Sequence, residues 1–320
     1  VYERLLLMSE FFTETIVISI LAAMVRIAAP LILAAIGELI AERAGVINLG
    51  VEGMMLMGCF LGFFVTFETG SVWAGVGAAM FGAMLMSLIM AFMAITLKLE
   101  QFVTGLALNL LASGLTLFWF RSLLKAIGST QPNIDLLEKT PIPLLSEIPY
   151  LGYIVFSHNW LVYLAMLSVP ACSFFLYKTK YGLELRCLGE NPRAIDMKGL
   201  SVAKRQYLAV LFGGMMAGLA GAFISVGSSI RFVPEMTAGR GWLAIVIVIA
   251  GNWQPKWILV AALVFAFLDA FQMHVQAVGI NFPYQILLAL PYVIAVLALM
   301  HRRARSRAPA SLGIAYSRSS

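Results

Sequence analysis

Apolar runs of about 20 residues recur along almost the whole of this 320-residue chain. A run of that length crosses a bilayer as an α-helix, because the hydrocarbon core is about 30 Å thick and a helix rises about 1.5 Å per residue. The core holds no water, so every backbone N–H and C=O needs a partner inside the segment, and a helix supplies it. The reading is therefore all-α: a polytopic membrane protein of about eight to ten membrane segments, some of them broken or re-entrant. Composition agrees. The chain is 61% hydrophobic and 12% charged, against about 25% charged in soluble domains. Residues 1–300 read as a single transmembrane domain with no room for a sizeable soluble one. Residues 301–320 read as a basic, small-residue tail, expected to be disordered and cytoplasmic.

Charge sets the orientation. The net charge of +6 is not a nucleic-acid signal, because seven of the 22 Lys and Arg residues fall in 178–205 and five in 302–318. Such clustering marks cytoplasmic segments of a membrane protein. Residues 121–157 carry four prolines and no strong basic excess, so they are expected outside. The N-terminus lacks a short apolar region followed by a small-residue cleavage site, so no removable signal peptide is expected. Cys59, Cys172 and Cys187 have no metal-ligand spacing and are expected as free thiols.

Spans are expected at about 12–36, with Pro30 inside, and at 54–69, 72–97, 102–120, 159–177, 206–227, 257–275 and 284–300. Two regions interrupt this pattern. The first, GELIAERAGVINLGVEG (37–53), sets Glu38, Glu42, Arg43, Asn48 and Glu52 among glycines and against apolar runs. The second, 227–257, holds an apolar stretch from Trp242 to Ala250 that is too short to cross. Glycines and Pro255 flank it, so a half-helix or re-entrant segment is expected. Paired broken segments of this kind point to a transport pathway. Glu38, Glu42, Asn48, Glu52, Asn109, Arg240 and Asn252 are the pathway candidates. Carboxylates at membrane depth are costly and are usually functional; at the surface they are merely solvated. Asn109 reads either as a pathway residue or as an interhelical hydrogen-bonding group.

The most charged stretch is YGLELRCLGENPRAIDMKGLSVAKRQ (181–206). Asn191 is a helix cap, because its side-chain oxygen accepts from a free first-turn N–H. Pro192 suits the first helical position, and Gly199 ends the helix. Ser201 caps the next helix. A short capped helix of about seven residues follows, held between two membrane segments. It fits a groove on a partner; otherwise it is a basic loop that fixes topology.

No phosphate-binding loop GxxxxGK[ST] is present, and no HExxH, CxxC or GxSxG. His158, His274 and His301 lie far apart. No embedded enzyme and no cofactor is expected, and any ATP use belongs to another chain.

GELIAERAGVINLGVEGMMLMG, VTGLALNLLASGLT, LGENPRAIDMKGL and MTAGRGWLAIVIVIAGNWQP together resemble the membrane permeases of ABC importers. The branch is the one for branched-chain amino acids, ribose-type sugars and nucleosides. The first motif most resembles the nucleoside and simple-sugar permeases. The resemblance implies that 189–200 couples to a cytoplasmic ATPase through Gly189, Glu190, Asn191, Pro192, Arg193, Ala194 and Gly199, within a coupling loop of about 178–205. It also implies a second permease subunit, alike or different, and an extracytoplasmic solute-binding protein. The chain would then sit in membrane lipid as a multi-pass protein of the bacterial inner membrane. Ile195 and Lys198 depart from the small residues usual there. Val246, Val248 and Ala250 depart from the Ala-rich, Phe-containing form of the second broken region. The alternative is an ion-coupled transporter using the carboxylates of 37–53.

Overall fold

The computed structural model describes residues 14–128, 132–277 and 307–317, with 289–290, 293–294, 296–297 and 300. The described residues hold helices and connecting segments and no strand. In order these are α1 (Glu14–Arg43), α2 (Val51–Thr69), α3 (Val72–Ala91) with a π-helical turn (Phe92–Thr96), α4 (Gln101–Ala126), α5 (Leu151–Val155), α6 (Trp160–Lys178), α7 (Lys180–Glu190), α8 (Pro192–Met197), α9 (Val202–Ser225), α10 (Arg240–Ala250) and α11 (Pro255–Ala277). Seven of them are long and apolar enough to cross a membrane: α1, α2, α3 with its π turn, α4, α6, α9 and α11. The short α10 is the half-helix expected over 242–250. The span expected at 284–300 lies largely outside the described residues, as does the N-terminal segment before Glu14.

α9 is the central helix and packs on α1, α2 and α3. It is 78% buried over its most apolar window, whereas α4 is 28% buried. The close packing comes from small residues. A Cβ added to Gly58 of α2 would lie 2.8 Å from the Cα of Gly218 in α9. The two backbones therefore touch, and dispersion contacts that larger side chains would block become available. α4, by contrast, presents Phe102, Val103, Leu106, Leu110 and Phe118 outward.

Two sequence expectations are corrected. The first concerns 37–53. Residues 37–43 continue α1, and the break is confined to 44–50. Gly37 does not end the helix, because it is a contact point: its added Cβ would lie 2.9 Å from the carbonyl oxygen of Gly213. At 30 residues, α1 is about 45 Å long. The second concerns the basic loop. Residues 180–190 form α7, capped by Thr179, whose hydroxyl oxygen accepts from the Gly182 N–H at 3.1 Å.

At the end opposite the basic segments, a loop from 226 to 239 turns back into the helix bundle. Phe232, at its tip, is buried. Its ring lies 5.4 Å from that of Phe60, 5.9 Å from Phe63 and 5.1 Å from Phe120. This aromatic cluster wedges the returning loop between α2 and α4 and delivers the chain to the start of α10.

Candidate functional site

The two broken regions meet. Glu52, in the first turn of α2, reaches the N-terminus of α10. Its Oε1 accepts from the Thr237 hydroxyl at 2.6 Å and from the Gly239 N–H at 2.9 Å, and its Oε2 accepts from the Gly241 N–H at 2.6 Å. The first N–H groups of a helix lack intrahelical partners and carry partial positive charge. Glu52 satisfies them for α10 while sitting at the positive end of its own helix. The neighbouring Gly53 donates its N–H to Asn109 at 2.8 Å. Asn109 lies eight residues into α4, about 12 Å along it. The junction therefore lies about two turns along a helix long and apolar enough to cross a membrane.

Irregular backbone at that depth is tolerable only where its polar groups are satisfied, and segment 44–50 meets that condition through side chains from three helices and from Asn48 within the break. Gln206 of α9 donates to the carbonyl of Ala44 at 3.2 Å. Gln101 of α4 accepts from the Ile47 N–H at 2.8 Å, and Glu38 of α1 accepts from the Asn48 N–H at 2.9 Å. Asn48 itself, in the break, accepts from the Gly50 N–H at 3.1 Å. Asn109 donates to the Leu49 carbonyl at 2.8 Å. Of the two readings of Asn109, the interhelical hydrogen-bonding one describes its geometry.

The basic end of the bundle has its own junction. Trp253 follows α10, and its indole N–H donates to Glu42, while its carbonyl accepts from Arg43 Nη2 at 2.6 Å. Asn252 and Trp253 both have positive φ, 54° each. Asn252 accepts through its side-chain oxygen from the Arg307 N–H at 2.7 Å.

The pathway candidates thus divide. Glu38, Glu42, Asn48 and Asn252 are enclosed by protein and act as fasteners of the two breaks. Glu52, Asn109 and Arg240 are half-buried. Arg240 begins α10, and its Nη2 lies 3.7 Å from Asp269 of α11. Ser113 of α4 donates to Glu235 at 2.5 Å nearby in sequence to this turn. Sequence reasoning missed Asp269, Thr237 and Glu235. Asp269 carried a signal, being an acidic residue inside an apolar span; Thr237 carried none.

The expected coupling residues lie at the basic end. Asn191 caps α8 by accepting from the Arg193 N–H at 3.1 Å, Pro192 is its first residue, and Gly199 has φ of 73°. Ser201 accepts from the Lys204 N–H at 3.3 Å and caps α9. Gly189 stands against the last residue of α1: an added Cβ would lie 2.5 Å from the carbonyl oxygen of Arg43. The end of α7 therefore touches the helix that leads into the break.

A cavity of about 750 Å³ lies between α1, α6 and α9, lined by Ile36, Leu164, Phe175 and Phe212 among others. Its lining is mostly apolar, with Glu184, Lys204 and Arg205 also contributing, and it shares no residue with the polar junction. Among the described residues no cluster of three or more His, Cys, Asp or Glu fits a metal ion.

Residues 20–300 match the family described as branched-chain amino acid transport system / permease component. The chain is 42% identical over 265 residues to the ABC transporter permease protein TsgC13 of Haloferax volcanii, named provisionally for glucose, covering 82% of this chain and 79% of that one. It is 35% identical over 298 residues to the guanosine ABC transporter permease protein NupQ of Bacillus subtilis, covering 90% and 93%. It is 31% identical over 312 residues to the nucleoside ABC transporter permease protein NupC of Lactococcus lactis, covering 94% and 97%.

Proposed function

The chain belongs to the branched-chain amino acid transport system / permease component family, as a multi-pass membrane permease of an ABC transporter, and on that premise we propose that it forms the solute pathway of an importer for a nucleoside or a simple sugar. In this reading it sits in a bacterial inner membrane. It carries no ATP-binding site of its own and works with cytoplasmic ATPase subunits. A second permease subunit encloses the other side of the path, and an extracytoplasmic binding protein delivers the solute.

One observation carries the reading. The capped helix α8 stands at the basic end, and the turn of chain leading into it abuts the inner end of α1 through Gly189 and Arg43. A push on α8 from the cytoplasm is passed to α1, and α1 leads directly into the broken segment. ATP binding must then favour one arrangement of these helices over another, because a ligand shifts an equilibrium only by its differential affinity for the two states.

The pathway side of the reading rests on Glu52, Arg240 and Asp269. Nucleosides and sugars are neutral and rich in hydroxyl groups. They are recognised by fixed hydrogen-bonding groups, and these half-buried charged groups at membrane depth supply them. The apolar face of α4 that remains outward is available to lipid or to the second permease.

Co-purification tests the coupling half. The chain is expressed with its candidate ATPase, extracted in mild detergent, and assayed for retained ATPase. Binding that is lost when 190–199 is altered supports the reading. No association under any condition sinks it. Competition of unlabelled guanosine and glucose against labelled solute uptake then separates the two solute classes.

A further inference from the structure

The basic tail departs from its expected disorder over 307–317, which is packed on the protein. Hydrogen bonds hold it, and they reach three different working parts. At α7 and α8, Ser311 donates its N–H to the Gly189 carbonyl at 2.8 Å, and its hydroxyl donates to the Glu190 carbonyl at 3.2 Å. Tyr316 donates its hydroxyl to Asp196 Oδ2 at 3.0 Å. At the first break, Gly313 donates its N–H to the Gly45 carbonyl at 3.0 Å. At the second break, Arg307 donates its N–H to the Asn252 side chain at 2.7 Å. Leu312 and Tyr316 pack on the hydrophobic core.

The local sequence explains why this stretch takes a fixed path. Pro309 is buried against Gly189, whose added Cβ would lie 3.0 Å from the proline Cβ. The Leu312 N–H donates to the Pro309 carbonyl at 3.1 Å, closing a turn. Gly313 then has φ of 75°, a left-handed conformation that a side chain disfavours. An added Cβ there would also lie 3.1 Å from Ile47 Cδ1.

We propose that residues 307–317 are a tether within the coupling device, joining α8 to both broken segments so that a displacement of α8 reaches the pathway through the tail as well as through α1. The proposal rests on the reading of α8 as the ATPase-coupling helix. Its logic is connectivity. α8 is only six residues long and touches the bundle mainly through α7 and α9. A helix so small transmits little unless it is fastened on more than one side. Tyr316 fastens its far end, next to the exposed Met197. The same eleven-residue strap then reaches Gly45, which enters the first break, and Asn252, which ends the second. Coupling between sites needs a physically connected element that both sites bias, and the strap supplies one.

The test uses the full transporter complex reconstituted in proteoliposomes, with the chain ending after residue 306. Retained ATPase, the ATP hydrolysis rate and uptake per ATP are measured together. The ATPase is expected to stay bound and to hydrolyse ATP, while uptake per ATP falls about ten-fold, in the usual range of coupling between sites. Tyr316→Phe and Gly313→Val each perturb the strap without removing it, so they decide the matter if the truncated chain folds poorly. Each is expected to lower uptake per ATP about two- to three-fold, Tyr316→Phe with little change in melting temperature and Gly313→Val with some loss of stability from the strained backbone. Unchanged uptake per ATP in these variants overturns the tether. Loss of ATPase retention as large as that from altering 190–199 also overturns it, because the tail is then part of the docking surface. Failure of the wild-type chain to retain any ATPase fails the underlying reading instead, and the two failures are told apart by that control.

Discussion

The carboxylate of Glu52 accepts a 2.6 Å hydrogen bond from the backbone N–H of Gly241, although the two residues stand in separately interrupted parts of the chain. They pack so closely that a Cβ on Gly241 would lie 2.5 Å from the Glu52 Cα. One side chain thus fixes the start of the half-helix α10 against the first turn of α2.

Glu52→Gln replaces one carboxylate oxygen by an NH₂ group, which faces an N–H donor and accepts nothing. Membrane insertion is expected to persist while uptake falls ten-fold or more, with a loss of about 1.5–3 kcal/mol for each charge-assisted bond broken. Uptake kinetics and thermal unfolding in detergent read the two effects separately. Normal uptake would remove Glu52 from the working junction.

Arg240 and Asp269 are 29% and 33% exposed and 3.7 Å apart. A partly solvated pair at that distance adds little stability, about 0–1 kcal/mol. Asp269→Asn is therefore expected to leave the melting temperature almost unchanged while raising the KM for solute about ten-fold, if the pair faces the path as proposed. The swap Arg240→Asp with Asp269→Arg is expected to recover part of the loss. A fall in stability with an unchanged KM would make the pair purely structural.

Phe232→Ala empties the aromatic wedge under the outer loop. Large-to-small changes at buried Phe cost about 3–5 kcal/mol, so a drop in thermal stability is expected. Since the wedge holds the loop that leads to α10, proteolysis near 226–239 is also expected to quicken. Stability within about 0.5 kcal/mol of the parent, the range of ordinary surface changes, would show that the loop has other anchors.

Burial holds the His158 imidazole below its ordinary pKa of about 6.5, against a hydrogen bond to the Ile154 carbonyl that favours the charged form. Arg26 and Lys139 add to the lowering. A depressed histidine means that the unfolded state binds the proton more readily. Stability from this site is therefore complete above about pH 6.5 and is lost as pH falls through the folded-state value. Melting scans from pH 8 to pH 5 should show a steeper decline for the parent than for His158→Gln. Parallel declines would place the titration elsewhere.

Much of the architecture was legible because membranes impose simple rules. Span length follows from bilayer thickness, and charge asymmetry follows from topology. The caps at Asn191, Pro192, Gly199 and Ser201 were legible because capping is local chemistry. The failures came where a distant contact overrode a local signal. Gly37 reads as a breaker, yet it marks the place where α1 meets Gly213. Residues 180–190 read as part of a charged loop because Lys180, Glu184, Arg186 and Glu190 punctuate them, but Leu185 and Leu188 find a buried face. Residues 307–317 read as disordered because Pro, Ser, Ala and Arg dominate them. Their partners lie at Gly45, Gly189, Asp196 and Asn252, too remote for any window of sequence to reveal. Asp269 stands out as an acid within an apolar span, but nothing local in sequence points to its partner Arg240.

Segment 44–50 also constrains how the chain is made. Of the side chains that satisfy its backbone from outside, Glu38 alone is synthesised earlier. Gln101, Asn109 and Gln206 leave the ribosome later, and Gly313 last of all. Unsatisfied peptide groups are not stable in hydrocarbon. The newly inserted α1 and α2 must therefore keep this polar stretch near the membrane surface until the later helices arrive. Its descent is a late step in biogenesis, completed only when Gly313 has been made.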